Sequence, residues 1–377
     1  MKLFRYLVIA AGILLTLFSC GEKNNMTDED FIWFAQNIEK QIVDRNETPI
    51  RNAFDYDEFE KIVTKQMEIP RKRKKEASEF IREHVNPALT LLETTMNGAD
   101  FHFVKFYRKD NQPHIVFRTY IHNGVSLEDW VLGVKDNQIC IYDAFNIVSG
   151  ISWSDECRQK LCNYLELFTD VVVNTNELIN INYLISTDSY AQADSLLYWV
   201  MPQMRENMYA RTMEMNLASL SRPYNDVRKL AEAFTKTFPD EPRTPTFYLM
   251  QSGIRHGLVN ETVEHIQTLI SLTGDDPIYY LYQAWLFEHT NEHQYALQSL
   301  DSAINYMPHI FDLYLNKLDI YYEYFQYEEC MALLYRIDTL FMPPGEDASF
   351  FRTSYPQLTE HKPFNEWVKQ KETSMSK

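Results

Sequence analysis

The chain has 377 residues, with 24 Tyr and 23 Phe against only 10 Gly, and a formal net charge of −17. Its length fits two domains that can each bury a core, and its aromatic, glycine-poor composition argues against disorder or a loop-rich fold. An acidic surface of this size repels phosphate backbones, which excludes nucleic acid as the expected partner and favours neutral or basic ones.

Lys2 and Arg5 precede the apolar run Tyr6 to Phe18. That run spans only ~20 Å as a helix, short of the ~30 Å hydrocarbon core, so it predicts a signal-peptide core and not a membrane span. It ends in Leu17-Phe18-Ser19-Cys20-Gly21. This segment resembles the lipobox of bacterial lipoproteins. The resemblance implies that residues 1–19 are removed, taking the charge from −17 to −19 as Lys2 and Arg5 leave. It also implies that Cys20 carries the lipid, and that the mature chain is anchored to a membrane of the bacterial cell envelope, the outer one in preference. Residues 20–30 then read as a polar tether.

Residues 31–153 predict an α+β domain. Phe31, Phe34, Ile38 and Ile42 form a helical stripe within Asp28 to Arg45, and Phe59, Ile62 and Val63 form another within Asp55 to Gln66. A third helix fits Lys75 to Thr95, with Pro87 as a kink. Four β-rich runs follow, Phe101 to Arg108, His114 to Ile121, Asp129 to Lys135 and Gln138 to Asp143. They are separated by Asp110-Asn111, Asn123-Gly124 and Asp136-Asn137, which are hairpin signals. Helices followed by an antiparallel four-strand meander resemble the NTF2-like and cystatin-like cone folds, an architectural likeness without a motif.

His102, His114 and His122 lie near Asp129 and Asp143 in this region. No pair has the spacing of helical metal ligands, so no metal, cofactor or catalytic residue is expected. An acid–base pocket of Asp129 or Asp143 with a Tyr is the alternative weighed against turn and strand-edge roles. The run Arg71-Lys72-Arg73-Lys74-Lys75 is either a solvated helix lead-in or a contact patch for lipid phosphate or an acidic partner. Cys140, Cys157, Cys162 and Cys330 match no zinc or redox spacing and read as buried thiols, with a bridge from Cys140 to Cys157 or Cys162 left open.

From 154 to 344 the chain repeats. Ala193, Val227, Thr262, Ala296 and Cys330 are separated by 34, 35, 34 and 34 residues. Four further on stand Leu197, Ala231, Ile266, Leu300 and Leu334, and three beyond those Val200, Phe234, Leu269, Ala303 and Ile337. Offsets of four and three share one helix face, where a small residue permits close approach and larger ones fill the groove. Pro239, Gly274, Pro308 and Pro343 stop each hairpin. The pattern resembles the tetratricopeptide (TPR) repeat, best over Asp276 to Pro308. This implies an all-α helical-repeat domain whose stacked hairpins share a continuous core. Residues 345–377 read as a capping segment, with Phe364, Trp367 and Val368 on one face of a helix from His361 to Lys371.

The resemblance implies a partner groove on the first helix of each hairpin. It would be lined by Phe247, Gln251, Ile254, Leu281, Trp285, Glu288, Leu315, Asp319 and Tyr322. An aromatic groove with a few carboxylates suits an apolar helix or a basic extended segment of another protein. The function expected is therefore a non-enzymatic, membrane-anchored scaffold. The alternatives are a small-molecule-binding or enzymatic α+β domain with the repeats as attachment, and glycan capture.

Overall fold

The computed structural model describes residues 26–46, 48–65, 67–84, 99–121, 124–167, 170–342 and 348–375. Cys20, the kink expected at Pro87, His122, Asn123 and Pro343 lie outside them.

Helix α1, Asp28–Val43, starts from a capping box in which the Thr27 and Asp30 side chains bond each other's backbone N–H, and it buries Phe31, Ala35, Ile38 and Ile42. Two short helices follow, α2 (Thr48–Ala53) and α3 (Tyr56–Thr64). Asp55 caps α3 by accepting from the Asp57 and Glu58 N–H groups. After a 3-10 turn at Arg71–Arg73 comes α4, Lys74–His84.

The sheet runs in sequence order through β1 (Asp100–Lys109), β2 (Gln112–Ile121), β3 (Gly124–Lys135), β4 (Gln138–Asn146) and β5 (Ile151–Ser152), all antiparallel. Asp110 and Asn111, then Asp136 and Asn137, all have positive φ, as tight hairpins between right-twisted strands require. The sheet has five strands, not four. The fifth is two residues long, too short to leave a period in the sequence, and is formed where the chain turns back through Gly150 at φ +68°. β3 begins five residues before the expected Asp129, because Val125 to Glu128 already pair with β2.

One sheet face, including Phe101, Ile115, Phe117, Trp130 and Leu132, packs on the leading helices. Helix α5, Trp153–Tyr164, falls in the stretch expected to be repeats, yet Cys157 and Leu161 lie in this same core. Cys140, Cys157 and Cys330 are buried and Cys162 is half-buried, all with free thiols.

The remaining helices pack as successive neighbours: α6 (Asp170–Ser186), α7 (Tyr190–Val200), α8 (Met208–Ser221), α9 (Tyr224–Thr237), α10 (Arg243–Arg255), α11 (Val259–Thr273), α12 (Ile278–His289), α13 (His293–Tyr306), α14 (Phe311–Glu323) and α15 (Tyr327–Phe341). Ala193, Val227, Thr262, Ala296 and Cys330 are each 0 % exposed, so the small residues sit where helices approach most closely. Helices α16 (Ser349–Ser354) and α17 (Lys362–Met375) close the end, burying Phe351, Tyr355, Leu358, Phe364, Trp367 and Val368 in the helical core.

The sheet is not a separate N-terminal module. Its second face lies against the helical array, and Tyr120 of β2 is part of the array's core. Thr244 Oγ1 donates to the Ile147 carbonyl and Tyr248 OH to the Val148 carbonyl, each at 2.7 Å. Lys105 Nζ donates to the Ser271 carbonyl at 3.0 Å. Among the described residues no helix is long and apolar enough to cross a membrane.

Candidate functional site

Docking of the sheet divides the expected groove. Toward the start of the first helices, Phe247 and Leu281 are buried in the core and unavailable to a partner. Neighbouring positions are held by the sheet and the loop after β4, through Thr244, Tyr248 and the Tyr120 hydroxyl, which donates to Asp312 at 3.4 Å. Leu315, Ile254 and Trp285 are partly buried against the same core. The accessible remainder is the far half of α10, α12 and α14, where Gln251, Ile254, Trp285, Glu288, Asp319 and Tyr322 lie.

This half has its own chemistry. Trp285 Nε1 donates to Asn316 Oδ1 at 3.2 Å, which fixes the indole beside α14. Tyr322 OH accepts from the Gln357 N–H at 3.2 Å, and its ring meets Tyr355 edge-on at 5.1 Å between centroids. Tyr355 OH donates to Asp319 Oδ1 at 2.6 Å, so the C-terminal segment walls one end of the stripe. Glu288, Asp319 and Glu323 lie close enough to repel one another, and none has an ion-pair partner among the described residues. Burial first, then the Glu323 and Asp319 charges, push the Glu288 carboxyl pKa up. Burial and Glu323 do the same to Asp319 against the opposing hydrogen bond from Tyr355. The stripe is therefore an aromatic shelf bearing carboxylates that have no counter-ion among the described residues.

The acid–base candidates lie elsewhere. Asp129 is buried beneath the array, accepting from Tyr107 OH at 2.5 Å and Arg243 Nη1 at 2.6 Å, with His114 Nδ1 at 3.0 Å. Glu241 grips the other edge of the Arg243 guanidinium at 3.0 Å. Burial works to raise the Asp129 pKa, but His114, Arg243 and Tyr107 outweigh it and hold it below the usual value. That arrangement joins sheet to array as a saturated ion-pair network, consistent with a structural role. Asp143 accepts from the Ser154 N–H at 3.0 Å and the Ala144 N–H at 2.9 Å, which ties β4 to α5. His102 bonds Glu39 at 2.8 Å, away from both. Among the described residues no three potential ligands gather to hold a metal ion.

In the basic run, Arg73 is anchored to the Leu165 carbonyl and to Glu76, while Arg71, Lys72, Lys74 and Lys75 are exposed. Sequence reasoning missed Glu323, Tyr355 and Gln357, because their place depends on how the C-terminal segment folds back. It also missed Arg118 and Arg243, whose one sequence signal was a lone arginine among strand or helix residues that pack.

No protein-family model matches the chain, no curated protein is significantly similar to it, and no solved structure matches it.

Proposed function

We propose that this chain is a non-enzymatic scaffold that binds another protein along the far half of the first helices of a TPR-like array. The observation that carries the reading is the shelf of Trp285 and Tyr322 beside Glu288, Asp319 and Glu323, three carboxylates without cationic partners among the described residues. Carboxylates held close at a cost in mutual repulsion are what a basic partner segment would relieve. Sheet docking shortens the groove, which favours a short extended segment bearing Lys or Arg over a long apolar helix. The array reads as TPR-like on the 34-residue seats, and helices laid on a meander sheet support the architectural likeness to NTF2-like or cystatin-like folds.

Attachment to a bacterial envelope membrane through a lipid on Cys20 belongs to the same proposal and rests on the Leu17-to-Gly21 segment. The test is crosslinking in native membranes with the wild-type chain, Trp285→Ala/Tyr322→Ala and Cys20→Ala. The expected result is a crosslinked partner lost in the double variant and membrane retention lost in Cys20→Ala. Equal crosslinking by the double variant rejects the groove.

A further inference from the structure

A cleft of about 580 Å³ opens where α1, the first two strands and the α13–α14 connection meet. It is separate from the carboxylate shelf, and its walls are of two kinds. Ile42, Val43, Phe101, Tyr306, Ile310 and Phe311 supply apolar surface. Val43 and Tyr306 are each 67 % exposed although apolar or aromatic, so part of this wall is left open to solvent.

The polar wall is ordered by carboxylates already in use. His102 Nδ1 is held by Glu39 Oε1 at 2.8 Å, and His309 Nε2 by Asp100 Oδ1 at 2.7 Å. Asp100 also pairs with Arg118 Nη2 at 2.7 Å. Each imidazole thus has one nitrogen fixed by a carboxylate, and the other ring nitrogen has no hydrogen-bond partner among the described residues. Arg45 adds an exposed guanidinium with no ion pair among the described residues. Arg118, 1 % exposed, lines the same cleft, and its Nη1, like Asp100 Oδ2, lacks a hydrogen-bond partner among the described residues. Clefts of this size with apolar walls and a few convergent polar groups are the usual form of a small-molecule site.

We propose that this cleft binds an amphiphile with a single anionic head, a carboxylate or a phosphate, on an apolar tail. The head takes hydrogen bonds from His102 Nε2, His309 Nδ1 and the Arg45 guanidinium, and the tail lies along Val43, Tyr306 and Phe311. The anionic groups facing the cleft are Glu39, Asp100 and Asp312. Glu39 and Asp100 each accept from one imidazole, Arg118 Nη2 stands 2.7 Å from Asp100 Oδ2 without completing a hydrogen bond to it, and Tyr120 OH donates to Asp312, so each carboxylate at the head position already faces a cation or a hydroxyl. The hydrogen bonds that the two rings donate to Glu39 and Asp100 shift the pKa of His102 and His309 upward, which favours the doubly protonated rings such a head requires. This site stands independently of the scaffold reading.

Calorimetric titration of the full purified chain with decanoate, decyl phosphate and decanol tests it. Saturable one-to-one binding of at least one anion is expected, with decanol weaker by about tenfold or more. The tighter of the two anions identifies the head. Arg45→Gln and His309→Gln, each checked by circular dichroism, should each weaken the anion by about threefold to tenfold, while Trp285→Ala/Tyr322→Ala should leave it unchanged. Arg45 is exposed and its variant is expected to fold, so it decides the matter even if His309→Gln does not. The proposal is overturned if neither anion saturates, if decanol binds equally well, or if Arg45→Gln binds as the wild type does.

Discussion

Arg118 on β2 and Asp276 just before α12 are 158 residues apart in sequence and meet at 2.9 Å, both buried. Asp100 completes the group from β1 at 2.7 Å. A guanidinium removed from water this thoroughly is held by its two carboxylates, and they by it.

Removing the cation should therefore cost more than removing one anion. Arg118→Ala leaves Asp100 and Asp276 buried without it and should lose about 3–5 kcal/mol in urea denaturation, and Asp276→Asn distinctly less. Burial raises the Asp100 pKa, but His309 and Arg118 outweigh it and bring it to about 2 from 3.8. A lowered pKa means stability present above about pH 3.8 and lost as pH falls through about 2. A loss below about 1 kcal/mol in Arg118→Ala would show the pair to be dispensable.

Asp143 works in the opposite direction. Burial lifts its pKa from 3.8 to about 6, only partly countered by the Ser154 and Ala144 donors. A raised carboxyl pKa contributes stability that is complete below about pH 3.8 and lost as pH rises through about 6. Asp143→Asn keeps the acceptor for both N–H groups and carries no charge. Thermal melts should find it more stable than wild type at pH 7 by about 1–3 kcal/mol, with the difference closing near pH 4.

Phe325 ends the turn between α14 and α15 at φ +56° while 65 % exposed, where the preceding hairpins have Gly257 and Asn291 at φ +63° and +60°. Left-handed backbone costs a bulky residue about 1–2 kcal/mol. Phe325→Asn should raise stability by about 0.5–1 kcal/mol, since little packing is lost. A lower melting temperature in this variant would mean that the ring does more than occupy a strained turn.

Gly274 ends α11 at φ +113°, and an added Cβ would meet Lys105 Cβ and Val104 Cγ1 at 2.9 Å each. Gly274→Ala therefore strains the backbone and wedges the sheet from the array. Hydrogen exchange should show faster exchange in β1 and β2 with α14 and α15 little changed. Uniform loss of protection would instead mean that sheet and array unfold as one unit.

Neutralising the shelf separates binding from stability. Glu288 and Asp319 have raised pKa values, from burial and from neighbouring charges, so their ionisation above the normal carboxylate range opposes folding. Glu288→Gln/Asp319→Asn/Glu323→Gln should melt higher than wild type at pH 7 yet crosslink less partner, with weaker salt dependence. A variant that melts lower would assign these carboxylates a structural role.

The sequence by itself determined the local elements and the repeat. Phe31, Ile38 and Ile42 announce α1, Asp110-Asn111 and Asp136-Asn137 announce two hairpins, and the residues spaced 34 or 35 apart from Ala193 to Cys330 occupy matching buried seats. Caps, turns and helix faces are set by neighbours within a few positions, so they remain visible in one dimension. Tertiary structure alone decided that the sheet closes against the array. The contacts of Arg118 with Asp276, Tyr248 with Val148 and Tyr355 with Asp319 join residues that no local period relates. Phe247 and Leu281 end in the core that Tyr120 of the sheet joins, Trp285 stays partly exposed, and the cleft beside His102 and His309 is lined by residues of both sheet and array.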